Sequence, residues 1–432
     1  MRIEMPAKNI LVLGNGFDLH HNMKTRYNDY IDFLKGLKAR NEGIVKAGKE
    51  MSLADIRGDG TELKYGRLHY YTQKGFPEKA IREIWAALEN SFVRYFMAYH
   101  TEVKGWIDFE VLIRNVTETM ETLMGRFSGL EGNRRDNYVD GIGGNVGERL
   151  LAGCFDKIFN ISQQDGICIQ KGLADSVSGI HKKDVIHILR KEFDGLCRSL
   201  YLYLKELEPH CRRIRQEFTY RQIREIQADA VVTFNYTDTW KRYGISPDRV
   251  IHVHGSLEGE NIVLGFHDED ENDLEYVYFK KYMQCILKHT PVLEQYDFEA
   301  EDLEGHWENP IMHFFGHSLD ITDREKLIFL FDKASQIKIY YYGEDDREEK
   351  IEKVIALLGK RKALPRIYER DIDFIEIKKD ENEIKAEKAE EEREILQMWE
   401  NSEKAREEKE KAKRQEEENS RMLRNLSGMF NL

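Results

Sequence analysis

Four short polar clusters, each following an apolar run, hold the side chains best suited to chemistry. The first is Gly14-Asn15-Gly16-Phe17-Asp18, at the end of Asn9–Leu13. The second is Thr233-Phe234-Asn235-Tyr236-Thr237-Asp238, after Ala230–Val232. The third, His252-Val253-His254-Gly255-Ser256, closes Arg249–Val253. The fourth, Phe315-Gly316-His317-Ser318-Leu319-Asp320, follows Ile311–Phe314. A glycine-flanked loop after a buried strand lets a ligand's phosphates approach the backbone, so the first cluster points to a nucleotide-type site. His252 and His254 sit two apart on a strand and share a face. With Asp18, Asp238, His317 or Asp320 that pair also matches a zinc or manganese ligand set.

Each cluster is ambiguous alone. Gly14-Asn15-Gly16 lacks the third glycine of the dinucleotide fingerprint, because position 19 is Leu. Asn235 also suits a turn, His254 a core histidine held by backbone, and Asp18 a helix cap. Their shared position at strand ends gives them weight, since ligands of open parallel sheets bind outside the carboxyl ends of strands.

The elements that must position these clusters are short and apolar. Strand-like runs are Asn9–Leu13, Ala230–Phe234, Val250–Val253, Ile262–Leu264, Pro310–Phe315 and Gln336–Tyr342. Unalternating runs predict strands covered on both faces. Helical patterns over Asp323–Ser335 and Asp346–Leu358 follow two of them, a rhythm that predicts an α/β fold with a mainly parallel sheet. Between the first two strands lies a long insertion with helical periodicity over Glu78–Tyr99 and Asp184–Leu207. The glycine-rich stretch from Ser128 to Gly179 reads as loop and irregular structure. From about Lys378 onward, Glu, Lys and Arg alternate at helical spacing, as in Glu403, Glu407 and Lys411, which predicts a solvated charged helix. Its last turn carries Met422, Leu423, Leu426, Met429 and Phe430, an apolar group able to dock. The expected domains are a discontinuous α/β unit of residues 1–40 and 225–377, a mainly helical insertion of 41–224, and a tail of 378–432.

The chain has 432 residues and a formal charge of −13, which argues against duplex nucleic acid as its main partner. Its five cysteines, Cys154, Cys168, Cys197, Cys211 and Cys285, form no Cys-x-x-Cys pair and read as reduced thiols. No apolar run is long enough to span a bilayer, and the N-terminal stretch breaks at once into Gly-Asn-Gly, unlike a signal peptide. A cytoplasmic location without membrane attachment is the expectation.

Val12-Leu13-Gly14-Asn15-Gly16-Phe17-Asp18-Leu19 followed by Lys24-Thr25-Arg26-Tyr27 resembles the N-terminal signature of the AbiH family of bacteriophage abortive-infection proteins. The Thr233–Thr237, His252–Gly255 and Phe315–Leu319 segments resemble later motifs of that family, and Trp106-Ile107-Asp108-Phe109-Glu110 is similar to a further element. The AbiH pattern is in turn similar to sirtuin-like domains, which implies a Rossmann-like fold and NAD⁺ as substrate or ligand. On that resemblance Asn235 holds the nicotinamide ribose and the water, and His254 is the base. Gly14, Asn15 and Gly16 meet the pyrophosphate. Asp18, Thr233, Asp238, Gly255, Gly316, His317 and Ser318 complete the ligand-binding set. The four-cysteine zinc module of sirtuin deacetylases has no counterpart here, so no zinc module and no metal site are expected, and cleavage of NAD⁺ is implied rather than deacetylation.

Two other readings stay open. One is a metal-dependent nuclease or phosphohydrolase built on His252 and His254. The other is a non-catalytic module that senses a nucleotide. The family role implies a phage-derived trigger or a partner protein. The oligomeric state, a homo-oligomer included, is left open.

Overall fold

The computed structural model describes residues 3–21, 23–46, 80, 83–84, 86–102, 108–128, 141–162, 166–175, 179–207, 220–267, 275–301 and 307–378. Its centre is a six-stranded sheet of β1 (Asn9–Leu13), β2 (Ala230–Thr233), β3 (Val250–His252), β4 (Ile311–Phe315), β5 (Gln336–Tyr341) and β6 (Ile372–Glu376). The spatial order is β6-β5-β4-β1-β2-β3, and every pairing is parallel. That is the strand order of doubly wound dinucleotide-binding folds, which reverses direction between β1 and β4.

Side chains alternate between two buried layers, as a pleated strand requires. Ile10 and Val12 of β1 join Val232, Phe314 and Ile339 in one layer, covered by Leu327 and Phe331 of α4 (Arg324–Asp332) and Val354 of α5 (Gly343–Leu358). Leu11 and Leu13 join Val231 and Phe315 in the other, covered by Phe17 of α1 (Asn15–His20) with Tyr220, Ile223 and Trp240. Burial on both sides explains the apolar runs, and the parallel α/β expectation holds.

Some expectations fail for local reasons. Ile262–Leu264 is no strand, although all three residues are buried. The ladder ends at β3, and Ile262 and Leu264 fill a separate core with the helical segments. The sixth strand, Ile372–Glu376, was not foreseen; it lies at the sheet edge, where only Ile372 is fully buried. The stretch read as irregular contains a helix at Val146–Cys154 and an antiparallel hairpin of Phe159–Ser162 with Gly166–Ile169. A capping box, in which Asn145 accepts from the Glu148 N–H and Glu148 from that of Asn145, starts that helix directly after the glycines. The predicted helix over Glu78–Tyr99 is interrupted at Asn90, whose backbone is extended and whose side chain accepts from the Val93 N–H at the next helix, Ser91–Glu102. The second predicted helix begins at Lys182 and ends at Leu202, continuing as a π-type turn over Tyr203–Leu207.

The helix Tyr27–Lys46 packs with the described helices of the insertion, among them α2 (Phe109–Ser128), around a second, aromatic core that includes Tyr30, Phe92, Phe109 and Phe193. Among the described residues no helix is long and apolar enough to cross a membrane. The charged tail beyond Lys378, Cys211, and Trp106 and Ile107 of the fifth motif lie outside the described residues.

Candidate functional site

The loops after β1 and β4 meet where the strand order reverses, and their backbones touch. Gly316 has φ +66°, and a Cβ there would lie 2.1 Å from the Phe17 nitrogen. A Cβ on Gly14 would lie 2.5 Å from the His317 Cα, and one on Gly16 2.7 Å from the Gly316 Cα. Gly14 N–H donates to the Phe315 carbonyl (3.1 Å), Gly16 N–H to that of Gly316 (2.8 Å) and Phe17 N–H to that of Gly14 (2.9 Å). The three glycines therefore serve a close loop–loop contact, and three N–H groups near the expected pyrophosphate position point at protein. Asn15 is half-buried at the rim, with its side-chain carbonyl accepting from the Thr25 hydroxyl at 2.6 Å.

The loop after β2 is tied to the loop after β1. The Asn235 carboxamide donates to the Gly14 carbonyl at 2.9 Å, and its backbone N–H donates to the Thr233 hydroxyl at 3.1 Å. Asp18 is buried and accepts from the Thr237 hydroxyl at 2.5 Å. It does not cap α1, whose N-cap is Gly14. His252 Nδ1–H donates to the Asn235 carbonyl (3.2 Å), and its Nε2 lies 3.5 Å from Asp238, which pairs with Lys241 at 2.9 Å. Gly255 takes φ +80° with its Cβ position 2.0 Å from the Asn261 carbonyl, so it serves a tight turn.

His254 faces elsewhere, into a buried ion cluster. Its Nε2 lies 3.0 Å from Asp323 Oδ1, close but off the line of a good hydrogen bond. The same oxygen is 3.0 Å from Lys281 Nζ, which also contacts Glu110 Oε1 at 2.7 Å. Asp323 sits at the N-cap position of α4 without a side-chain capping bond, Lys281 opens α3 (Lys281–Leu287), and Glu110 lies in the first turn of α2. Burial, and then the Lys281 ammonium, push the His254 imidazolium down to about 3, so the ring is neutral at cellular pH. Burial opposes ionisation of Asp323, but Lys281 and His254 hold its carboxyl well below the usual range. Burial also opposes charge on Lys281, and Asp323 and Glu110 outweigh it. Glu110 is pushed up by burial, with Lys281 opposing.

The Phe234 ring separates His254 from His317, with ring centroids 5.3 and 4.3 Å away, both edge-on. His317 is buried and pushed down to about 4 by burial; its Nδ1 accepts from the Leu319 N–H at 2.9 Å, which leaves the proton on Nε2. Ser318 is exposed beside it. Leu319 has φ +55°, the second left-handed residue in this loop.

The strand-end clusters thus share one edge of the sheet. Asn235 joins Gly14, whereas His254 joins Asp323 and Lys281; both are buried, at 7% and 5% exposure. Among the described residues no group of three or more His, Cys, Asp or Glu side chains is placed to hold a metal ion. His252 and His254 engage different partners. Sequence reasoning missed Asp323 and Lys281 and held Glu110 only as part of a motif. Asp323 was legible as the start of a helix, but nothing in the sequence joins it to Lys281.

The site lies on an open, parallel α/β sheet of six strands that carries polar loops at its topological switch. The family model for "Bacteriophage abortive infection AbiH" matches residues 10–342, more than half of the chain, and the protein belongs to that family. Membership suggests a role in abortive infection by phage. No curated protein and no solved structure matches the chain.

Proposed function

We propose that the protein is an abortive-infection effector that binds NAD⁺ at the β1–β4 switch and cleaves its nicotinamide–ribose bond. The observation that carries this reading is the strand order β6-β5-β4-β1-β2-β3 with the polar clusters after β1, β2, β3 and β4 on one edge. The sirtuin likeness and the domain boundaries inferred from sequence belong to the same proposal, as does a cytoplasmic site of action.

The chemistry asks little of an acid, because nicotinamide leaves as a neutral molecule. It asks for a dry pocket, a fixed ribose and a base for water or a ribose hydroxyl. His254 is neutral, the form a base requires, and a positioned base contributes about 10²- to 10⁴-fold. Asp323 beside its Nε2 would stabilise the imidazolium once a proton is taken. Asn235, held through its amide nitrogen by Gly14, would orient ribose or water with its oxygen. Because the Gly14, Gly16 and Phe17 N–H groups face protein, the pyrophosphate falls to Asn15 and the Gly316-His317-Ser318 turn.

Asn235 and His254 are buried, so the nucleotide enters only when the loops part. An effector must be silent before infection, and such a closed site suits that need. A trigger, a phage product or partner protein, would open it, with the insertion or the tail as restraint. Burial also favours a second reading, a sensor that binds without turnover.

The test is to infect cells expressing the full-length protein with phage, so that the trigger is supplied, and to follow bound NAD⁺ and released nicotinamide for the wild type, His254→Ala and Asn235→Ala. Release by the wild type and its loss in both variants is expected. Binding of NAD⁺ without release selects the sensor, and absence of both overturns the nucleotide reading.

A further inference from the structure

Helix α3 is oriented against the usual amphipathic rule. Lys281 and Gln284 point inward and are buried, while Tyr282, Ile286 and Leu287 are exposed. A helix whose charged side faces the protein is not seated by a hydrophobic stripe. Its seat is the ion cluster, in which Lys281 Nζ lies between Glu110 Oε1 at 2.7 Å and Asp323 Oδ1 at 3.0 Å. Four side chains from four segments, Glu110, Lys281, Asp323 and His254, meet there with little exposure.

Asp323 Oδ1 is the shared atom. Both Lys281 Nζ and His254 Nε2 lie 3.0 Å from it, yet the imidazole is out of line for a good hydrogen bond. An oxygen already opposite a full positive charge is a weaker partner for a ring N–H. We infer that Lys281 is a positioning residue that restrains His254: its ammonium occupies the Asp323 oxygen that would otherwise pair with the imidazole, with Glu110 of α2 as the ammonium's second counter-charge. The groups facing the imidazole are Asp323 and Lys281, with Lys326 of α4 beyond them and His317 across the Phe234 ring. Asp108, Tyr27 and Tyr236 stand near Glu110.

The inference goes beyond nucleotide cleavage and is tested without nucleotide. The Cε1–H resonance of His254, assigned by its loss in His254→Gln, is followed against pH in the full-length protein. In Lys281→Met the titration should begin at least about one pH unit above the wild type, because Asp323 is then free to favour the imidazolium. In Glu110→Gln, which keeps the ammonium and removes its counter-charge, the titration should not rise. A rise in both variants would signal loosened packing and water entry, and would overturn the inference; no change in Lys281→Met would overturn it as well. Should Lys281→Met fail to fold, Lys281→Gln, which keeps a donor for the two carboxylates, carries the same expectation. A failed nicotinamide assay leaves this titration unaffected.

Discussion

The Asn235 carboxamide and the Gly14 carbonyl, 221 residues apart in the chain, are joined by a buried hydrogen bond of 2.9 Å. It fixes the loop after β2 to the loop after β1, so a residue expected to meet a ligand also holds the edge of the site together. Asn235→Ala should leave the Gly14 carbonyl with only the Phe17 N–H as donor and cost about 0.5–1.5 kcal/mol. Denaturant titration measures it; an unchanged midpoint would mean that the bond adds nothing to stability.

Gly316→Ala tests the contact between the loops of β1 and β4. Its Cβ would collide with the Phe17 nitrogen at a backbone of φ +66°, so a loss of about 4 kcal/mol or more is expected. Gly244→Ala is the control: it has φ +71° but open space around it, and should cost only about 1–2 kcal/mol. Equal losses would show that conformation alone, and not the close approach, governs Gly316.

Thr237→Val removes the hydroxyl that Asp18 accepts from and should cost about 1–3 kcal/mol, with Thr237→Ser near wild type. Thermal melts at pH 7 decide it, and Thr237→Val melting with the wild type would remove Asp18 from the ties that hold these loops.

Acid should destabilise the fold well before its carboxylates titrate. Burial pushes His21, His313 and His317 down to about 4 and His254 to about 3. The unfolded chain takes up these protons near 6.5 and the folded chain resists, so stability present above pH 6.5 is lost as pH falls toward 4. Each histidine adds a slope of about 1.4 kcal/mol per pH unit there. Asp323, held low, adds its own loss below the ordinary carboxylate range. Melting temperature should fall steeply from pH 6.5 to 4.5, and less so in His254→Gln. A flat profile would contradict the neutral burial of these rings.

How much of this was legible depended on whether one segment carried its own signal. The strands β1, β2, β4 and β5 were readable because their runs are mainly apolar and mostly buried, with Asn9, His313, Gln336 and Lys338 among the polar exceptions. The edge strand β6 mixes Asp373 and Glu376 with apolar residues and gave no such run. Ile262–Leu264 looked like a strand because burial, not pairing, sets apolarity. At the site, loops at strand ends could be found from pattern, since each glycine or histidine follows its own strand. The Asp323–Lys281–Glu110 cluster could not, because a buried charge betrays itself only through partners supplied by distant segments.

The position of β1 bears on how the protein is made. It is the first strand of the sheet to leave the ribosome, yet it lies between β2 and β4, whose residues begin at Ala230 and Ile311. Its ladder cannot close until β4 (Ile311–Phe315) has been translated, a pairing of high contact order. An interrupted translation product that stops short of β4 thus lacks the strand junction where the loops meet. Until then the apolar β1 segment must be shielded while the strands that flank it are synthesised.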